Sequence, residues 1–243
     1  MNDNFEKDFN LGGSVEKALN GQAQLKVGAV IKEAFQYTVK HFISFTPAVV
    51  ILLVVQCAIF YIALKLQLHD MSIILEAMKD PSLIDESLVQ AFFIANFSFE
   101  VISAPIYAGA SLMAMSHSAG LKTKFFHISK GLQFTIPVML VTLLNLVLQG
   151  VGGIIFSYLS LYLSVAFSFA ILLICEKRMK PLNALWTSLR AVNRKLFTIM
   201  VLYSLLMIMF LSSVFWFYGL GLLFVLPFFL LILAPMLLQC VGQ

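Results

Sequence analysis

The chain is expected to fold as an all-α, polytopic membrane bundle, with six transmembrane helices in three hairpins, each preceded by a cytoplasmic amphipathic helix. Three observations lead there. Of the 243 residues, 60% are hydrophobic and only 12% charged, where soluble domains carry roughly 25%. The mean hydropathy is +0.94, so a water-soluble globule of this chain would expose a vast apolar area. The Lys and Arg residues fall in short segments that alternate with uncharged apolar runs, the pattern by which flanking charge sets topology.

Taken in order, residues 1–24 mix charges, Asn, Gln and Gly. They hold too little apolar surface to order themselves, and a mobile polar tail is expected. The membrane domain is then 25–243. From Leu25, the residues Val27, Val30, Ile31, Ala34, Thr38 and Phe42 recur at helical spacing, with Lys26, Lys32, Glu33, Gln36 and Lys40 on the other face. Such a basic amphipathic helix lies in the headgroup plane. Pro47 suits the first turn of a new helix, so the first span is placed at about 45–66.

The segment 67–88 is acidic, with Asp70, Glu76, Asp80, Asp85 and Glu86 against Lys79. Met71, Ile74, Leu75 and Met78 predict a short helix there, stopped by Asp80-Pro81. The second span, about 89–118, is long enough to tilt or project. Residues 119–133 are basic. The third span is about 134–148, the glycines at 149–153 read as a turn, and the fourth span is about 154–175. After the basic stretch Lys177–Lys195 come spans five and six, about 196–217 and 222–238, separated by a break at 218–221. Both are free of charge, and a helix of about 20 residues crosses a bilayer.

By this reading fourteen of the sixteen Lys and Arg lie on one side, and only Lys65 and Lys79 on the other. The positive-inside rule then puts both termini in the cytoplasm of a bacterial inner-membrane protein. The basic helices are expected to meet anionic lipid through Lys32, Lys40, Lys122, Lys124, Lys130, Arg190, Arg194 and Lys195, each contributing about 1 kcal/mol near a charged leaflet. Amphipathic helix, span, turn and returning span recur three times, which is either a structural repeat or the pattern any even-span protein acquires from its charges.

The stretches LNALWTSLRAVNRKLF and GLGLLFVLPFFLLILAPM, with Gly219, Gly221 and Pro227, resemble the YciC-like family of bacterial inner-membrane proteins. One relative of that family is the membrane domain fused to some glycerophosphodiester phosphodiesterases. The resemblance implies a six-helix inner-membrane protein and no catalytic residues. The phosphodiesterase domain is absent from this sequence.

Chemistry inside the bilayer centres on Glu100. A charge at the middle of a spanning helix costs roughly 2.5–3.5 kcal/mol and marks a functional candidate. Asn96, Glu100, Ser103, Tyr107 and Ser111 share one helical face, and Pro105 and Gly109 invite a bend beside it. Three readings are open: a solute or proton path along this stripe, a carboxyl paired inside the bundle (for instance by Lys65), or a side chain near the headgroups. Ser157, Ser160, Ser164 and Ser168 share a face suited to helix packing, and Gln56 and Asn145 read as interhelical hydrogen-bonding groups.

Other chemistry finds no support. Cys57, Cys175 and Cys240 are isolated. His41, His69, His117 and His127 fall on four different segments, and HExxH is missing. There is no Walker loop and no GxSxG elbow. No cofactor or metal is expected, and no dense basic patch suggests nucleic acid. The expectation is a non-enzymatic integral inner-membrane protein that serves envelope organisation or binds lipids or another membrane protein. The alternative is a small-solute or ion transporter using the Glu100 stripe.

Overall fold

The computed structural model describes residues 27–68, 70–118, 121, 123–217 and 221–241. The predicted tail, Lys122, His69 and residues 218–220 lie outside them. The helices are α1 (Val27–Gln67), α2 (Ser72–Lys79), α3 (Glu86–Ser118), α4 (Thr135–Ile155), α5 (Ser157–Ala166), α6 (Ala170–Lys177), α7 (Pro181–Arg194), α8 (Leu196–Phe217) and α9 (Leu222–Val241). Two 3-10 segments, Pro81–Leu83 and Phe125–Phe134, complete the set, with no strand among the described residues. Five helical stretches are long and apolar enough to cross a membrane: Val27–Gln67, Glu86–His117, Phe126–Ile155, Ser157–Lys177 and Leu196–Ser213. A shorter apolar stretch, Phe224–Leu233, lies within α9.

The expected interfacial helix and first span are one element. α1 runs unbroken for 41 residues with Pro47 inside it. Val30, Ala34, Thr38, Phe45, Ala48 and Leu52 are buried at close to helical spacing, so a single stripe continues past the proline. Proline removes one helix hydrogen bond, and continuous packing against the 33-residue α3 outweighs that loss.

α3 is the hub, packed against α1, the second 3-10 segment, α4, α6 and α9. Its inner half is built from small residues: Ala104, Ala108, Ala110 and Ala114 are buried. At Gly109 the contact is backbone to backbone. A Cβ there would run into the Ile128 carbonyl, and one at Gly131 would run into the Pro105 carbonyl and the Gly109 backbone. The basic segment 125–134 therefore lies along α3 as a 3-10 helix rather than as the expected amphipathic α-helix on the membrane surface.

The 149–153 glycines do not turn the chain. α4 continues through them to Ile155, and the reversal comes at Phe156, extended at φ −160°. Gly152 is buried against Leu159 and Leu163 of α5, a close contact that absence of a side chain permits. The expected fourth span is interrupted at 167–169, between α5 and α6.

The third hairpin departs furthest from expectation. α7 doubles back along α5 and α6. Ser188 sits between the Ala166 carbonyl and the Phe169 N–H, and Asn193 accepts a 2.6 Å hydrogen bond from Tyr162. Ala184, Leu185, Ser188, Ala191 and Val192 form the buried face, while Leu182 and Trp186 are exposed. Phe224, near the start of α9, lies against Phe35 and Phe42 in the first half of α1. Further along, Phe229 and Leu233 share a cavity with Gln56. α9 thus runs in the same direction as α1 and packs more on α1 and α3 than on α8. This corrects the charge-based layout of three like hairpins with every basic segment at one end. The physical reason is that small and apolar faces, which charge counting ignores, decide which helices pair.

Candidate solute cavity in the bundle

Midway along the bundle, α1, α3, α4, α5, α6, α8 and α9 leave a cavity of about 340 Å³ between them, within the range of small-molecule sites. Helical spacing on α3 points Glu100, Ser103 and Tyr107 to one wall. α1 adds Gln56, whose Nε2 donates to Ser103 Oγ at 3.3 Å. The α4 wall carries Thr142 and Asn145, and Asn145 Oδ1 accepts from Gln149 Nε2 at 2.8 Å. The far wall is Ser164 on α5, Ser168 at the helix break and Tyr203 on α8.

The carboxylate is half-buried. Its Oε1 accepts a hydrogen bond from Asn96 Nδ2 at 3.3 Å, and it makes no ion pair with any described residue. The pairing with Lys65 is not formed. Phe60 of α1 already sits on Phe92 and Phe99 of α3, which places Lys65, exposed, beyond Glu100 towards the acidic loop. The Oγ of Ser168 and the hydroxyl of Tyr203 are buried beside each other and have no further hydrogen-bond partner among the described residues. Two hydroxyls can satisfy only part of each other's hydrogen-bonding capacity, so this wall keeps polar capacity for a guest.

The backbone is irregular at this level. The α5 ladder stops at Ala166, and Phe167 leaves helical geometry at φ −98°, ψ 4° before α6 begins at Ala170. Within the membrane such a break is tolerated where it is buried in protein or lines a cavity. Ser188 of α7 repairs it: its hydroxyl donates to the Ala166 carbonyl at 2.7 Å and accepts the Phe169 N–H at 3.2 Å.

Of the predicted stripe, Glu100, Ser103 and Tyr107 reach the cavity. Asn96 stays on the exposed side as the partner of Glu100. Ser111 is buried but donates to the Tyr107 carbonyl at 2.9 Å, outside the cavity. Gln56, Asn145, Ser164 and Ser168, assigned from sequence to packing, line it too. Thr142 and Tyr203 were not singled out. Their one signal is a polar group inside an apolar run.

The cations expected at lipid are dispersed. Lys32, Lys40 and Lys124 are exposed towards the α1 start, and Lys130 is half-buried. Arg190 is exposed and lies 5.1 Å from the Trp186 ring centroid. Arg194 and Lys195 follow Asn193 towards the opposite end of the bundle, beside Tyr162. No protein-family model, no curated protein and no solved structure matches the chain.

Proposed function

We propose that this chain is a non-enzymatic bacterial inner-membrane protein that binds a small polar solute, cationic or uncharged, beside Glu100 and passes it through the bundle. The observation that carries the reading is the polar cavity with a carboxylate free of any ion pair among the described residues on one wall and a broken helix bearing Ser164 and Ser168 on the other. Helices interrupted at a midplane site are a recurrent feature of secondary transporters. No Lys, Arg or His is among the lining residues described, so an anion would meet only a carboxylate and neutral groups. In this reading the lysine-bearing start of α1 faces the cytoplasm, the acidic loop at 70–86 lies outside, and the exposed Lys32, Lys40 and Lys124 meet anionic lipid.

The test is thermal unfolding of the protein in nanodiscs with alkylammonium ions, small polyols or small carboxylates added separately. Binding at a hundred times Kd stabilises by about 2.7 kcal/mol. Stabilisation by ammonium probes that E100Q abolishes, with no effect of carboxylates, is the expected result. No stabilisation by any of the three classes, or an equal effect in E100Q, overturns the reading.

A further inference from the structure

The four histidines look scattered in the sequence, yet α1 and α3 bring two of them face to face. The ring centroids of His41 and His117 are 4.2 Å apart, with 26° between the planes. His117 is fully buried. Phe45 meets it edge-on at 5.6 Å, and Thr123 Oγ1 lies 2.9 Å from its Nε2. Tyr37 stacks on His41 at 6.4 Å. His41 Nε2 is buried with no hydrogen-bond partner among the described residues, while the Leu121 backbone lies close to the His117 ring.

The charged surroundings are one-sided. On α1 the neighbours are Lys40 and the titratable Tyr37, while Lys32 and Glu33 sit on its exposed face. The 3-10 segment and the residue before it add Lys124, His127 and Lys130. The α9 stretch 222–233 has no titratable group, and the inner half of α3 contributes only Tyr107, in the cavity, besides His117. On α6, Glu176 has Lys177 at 3.5 Å. Among the described residues no carboxylate is paired with either ring.

A neutral imidazole needs one donor and one acceptor contact, but a protonated one donates from both nitrogens. In the closed stack an N–H added at His41 Nε2 finds no acceptor among the described residues, and a charge on either ring lies against the second ring, with Lys40 and Lys124 on the neighbouring segments. Separated rings meet water and lose both penalties. We propose that His41 and His117 form a proton-operated clasp between α1 and α3, closed while both rings are neutral and opened when either takes a proton. Imidazole is the side chain whose ordinary titration falls near physiological pH, and a ligand shifts an equilibrium towards the state that binds it better. Here that ligand is the proton. The inference stands apart from the solute reading, because its measurement concerns only the separation of two helices.

The experiment places one spin label at Ile43→Cys and one at Leu121→Cys, both exposed positions flanking the pair. The full chain carries Cys57→Ser, Cys175→Ala and Cys240→Ser and is held in nanodiscs. As pH falls from about 8 to about 5, spanning the imidazole range, the inter-label distance is expected to grow by about 2 Å or more, the scale of helix shifts in switching proteins. H117F and H41F keep an aromatic ring and lose the titration, so both should hold the high-pH distance throughout. If H117F does not fold, H41F at its half-buried site makes the same comparison. A distance that does not change with pH in the labelled parent overturns the clasp, as does a Phe variant that still opens.

Discussion

Two overlapping stretches of α3, on different faces, are built on opposite rules. From Ala104 to Ala114 the helix is lined with alanines and Gly109, and neighbouring backbone comes into direct contact. From Glu100 to Tyr107, on the face towards α4 and α8, it carries polar side chains, and the partner helices stand off to leave about 340 Å³. Close approach in a bilayer is achieved by small residues. Larger polar residues hold helices apart and keep the space hydrated or occupied. The lesson is that dryness here comes from the size of side chains, because both stretches are flanked by equally apolar sequence.

The strongest way to break the comparison is to fill the dry stretch. Gly109→Val puts carbon atoms where the Ile128 carbonyl stands, and the 3-10 segment cannot stay in place. Overpacking costs about 1–3 kcal/mol and at times more, so the unfolding midpoint should fall by roughly 5 °C or more. An unchanged midpoint in a thermal melt would mean that this backbone contact is not structural.

A second test falls where the wet stretch meets the broken helix. Ser188→Ala strips the Ala166 carbonyl and the Phe169 N–H of their partner. Leaving a buried group unsatisfied costs about 1–3 kcal/mol. Faster hydrogen exchange is expected at 166–170, with α1 unaffected. Exchange that rises equally everywhere would show that the serine supports the whole bundle and not the break.

The smallest effect lies beyond the wet stretch, at the solvated start of α3. Hydrogen bonds from the side chain and then the backbone of Ser72 hold Asp70 below its ordinary 3.8, and Ser82 does the same for Asp80. For Asp85 the Leu88 N–H leads and the Ser87 hydroxyl follows. The ionised form is the one bound. These caps are therefore fully in place above the ordinary carboxylate range and are lost as pH falls through the lowered folded values. Amide exchange in α2 and at Leu88, corrected for its intrinsic pH dependence, should rise only below about pH 4. A rise already at pH 6 would put another group in control.

Particular residues show how much of this was legible. The all-helical class followed from composition, and α2 followed from Met71, Ile74, Leu75 and Met78 before Asp80-Pro81. Glu100, Ser103 and Tyr107 were found because a charge in an apolar run stands out and helical spacing brings its neighbours with it. Thr142 and Tyr203 were missed because one hydroxyl in an apolar run looks the same whether it packs or lines a cavity. Pro47 and the glycines at 150–153 were read as breaks, since local propensity favours that, and tertiary packing overrode both.

By itself, the sequence determined that the chain is α-helical and apolar enough to span a membrane several times, and that one helix carries an acid in its middle. These properties are set by local composition and by the 3.6-residue period, which any window of the chain displays. Only the tertiary structure decided that α9 runs beside α1, that α7 folds back along α5 and α6, that His41 meets His117, and that six polar side chains from different helices surround Glu100. Each of these depends on which helical faces have complementary shape, and shape is a property of pairs of helices that no single stretch of sequence contains.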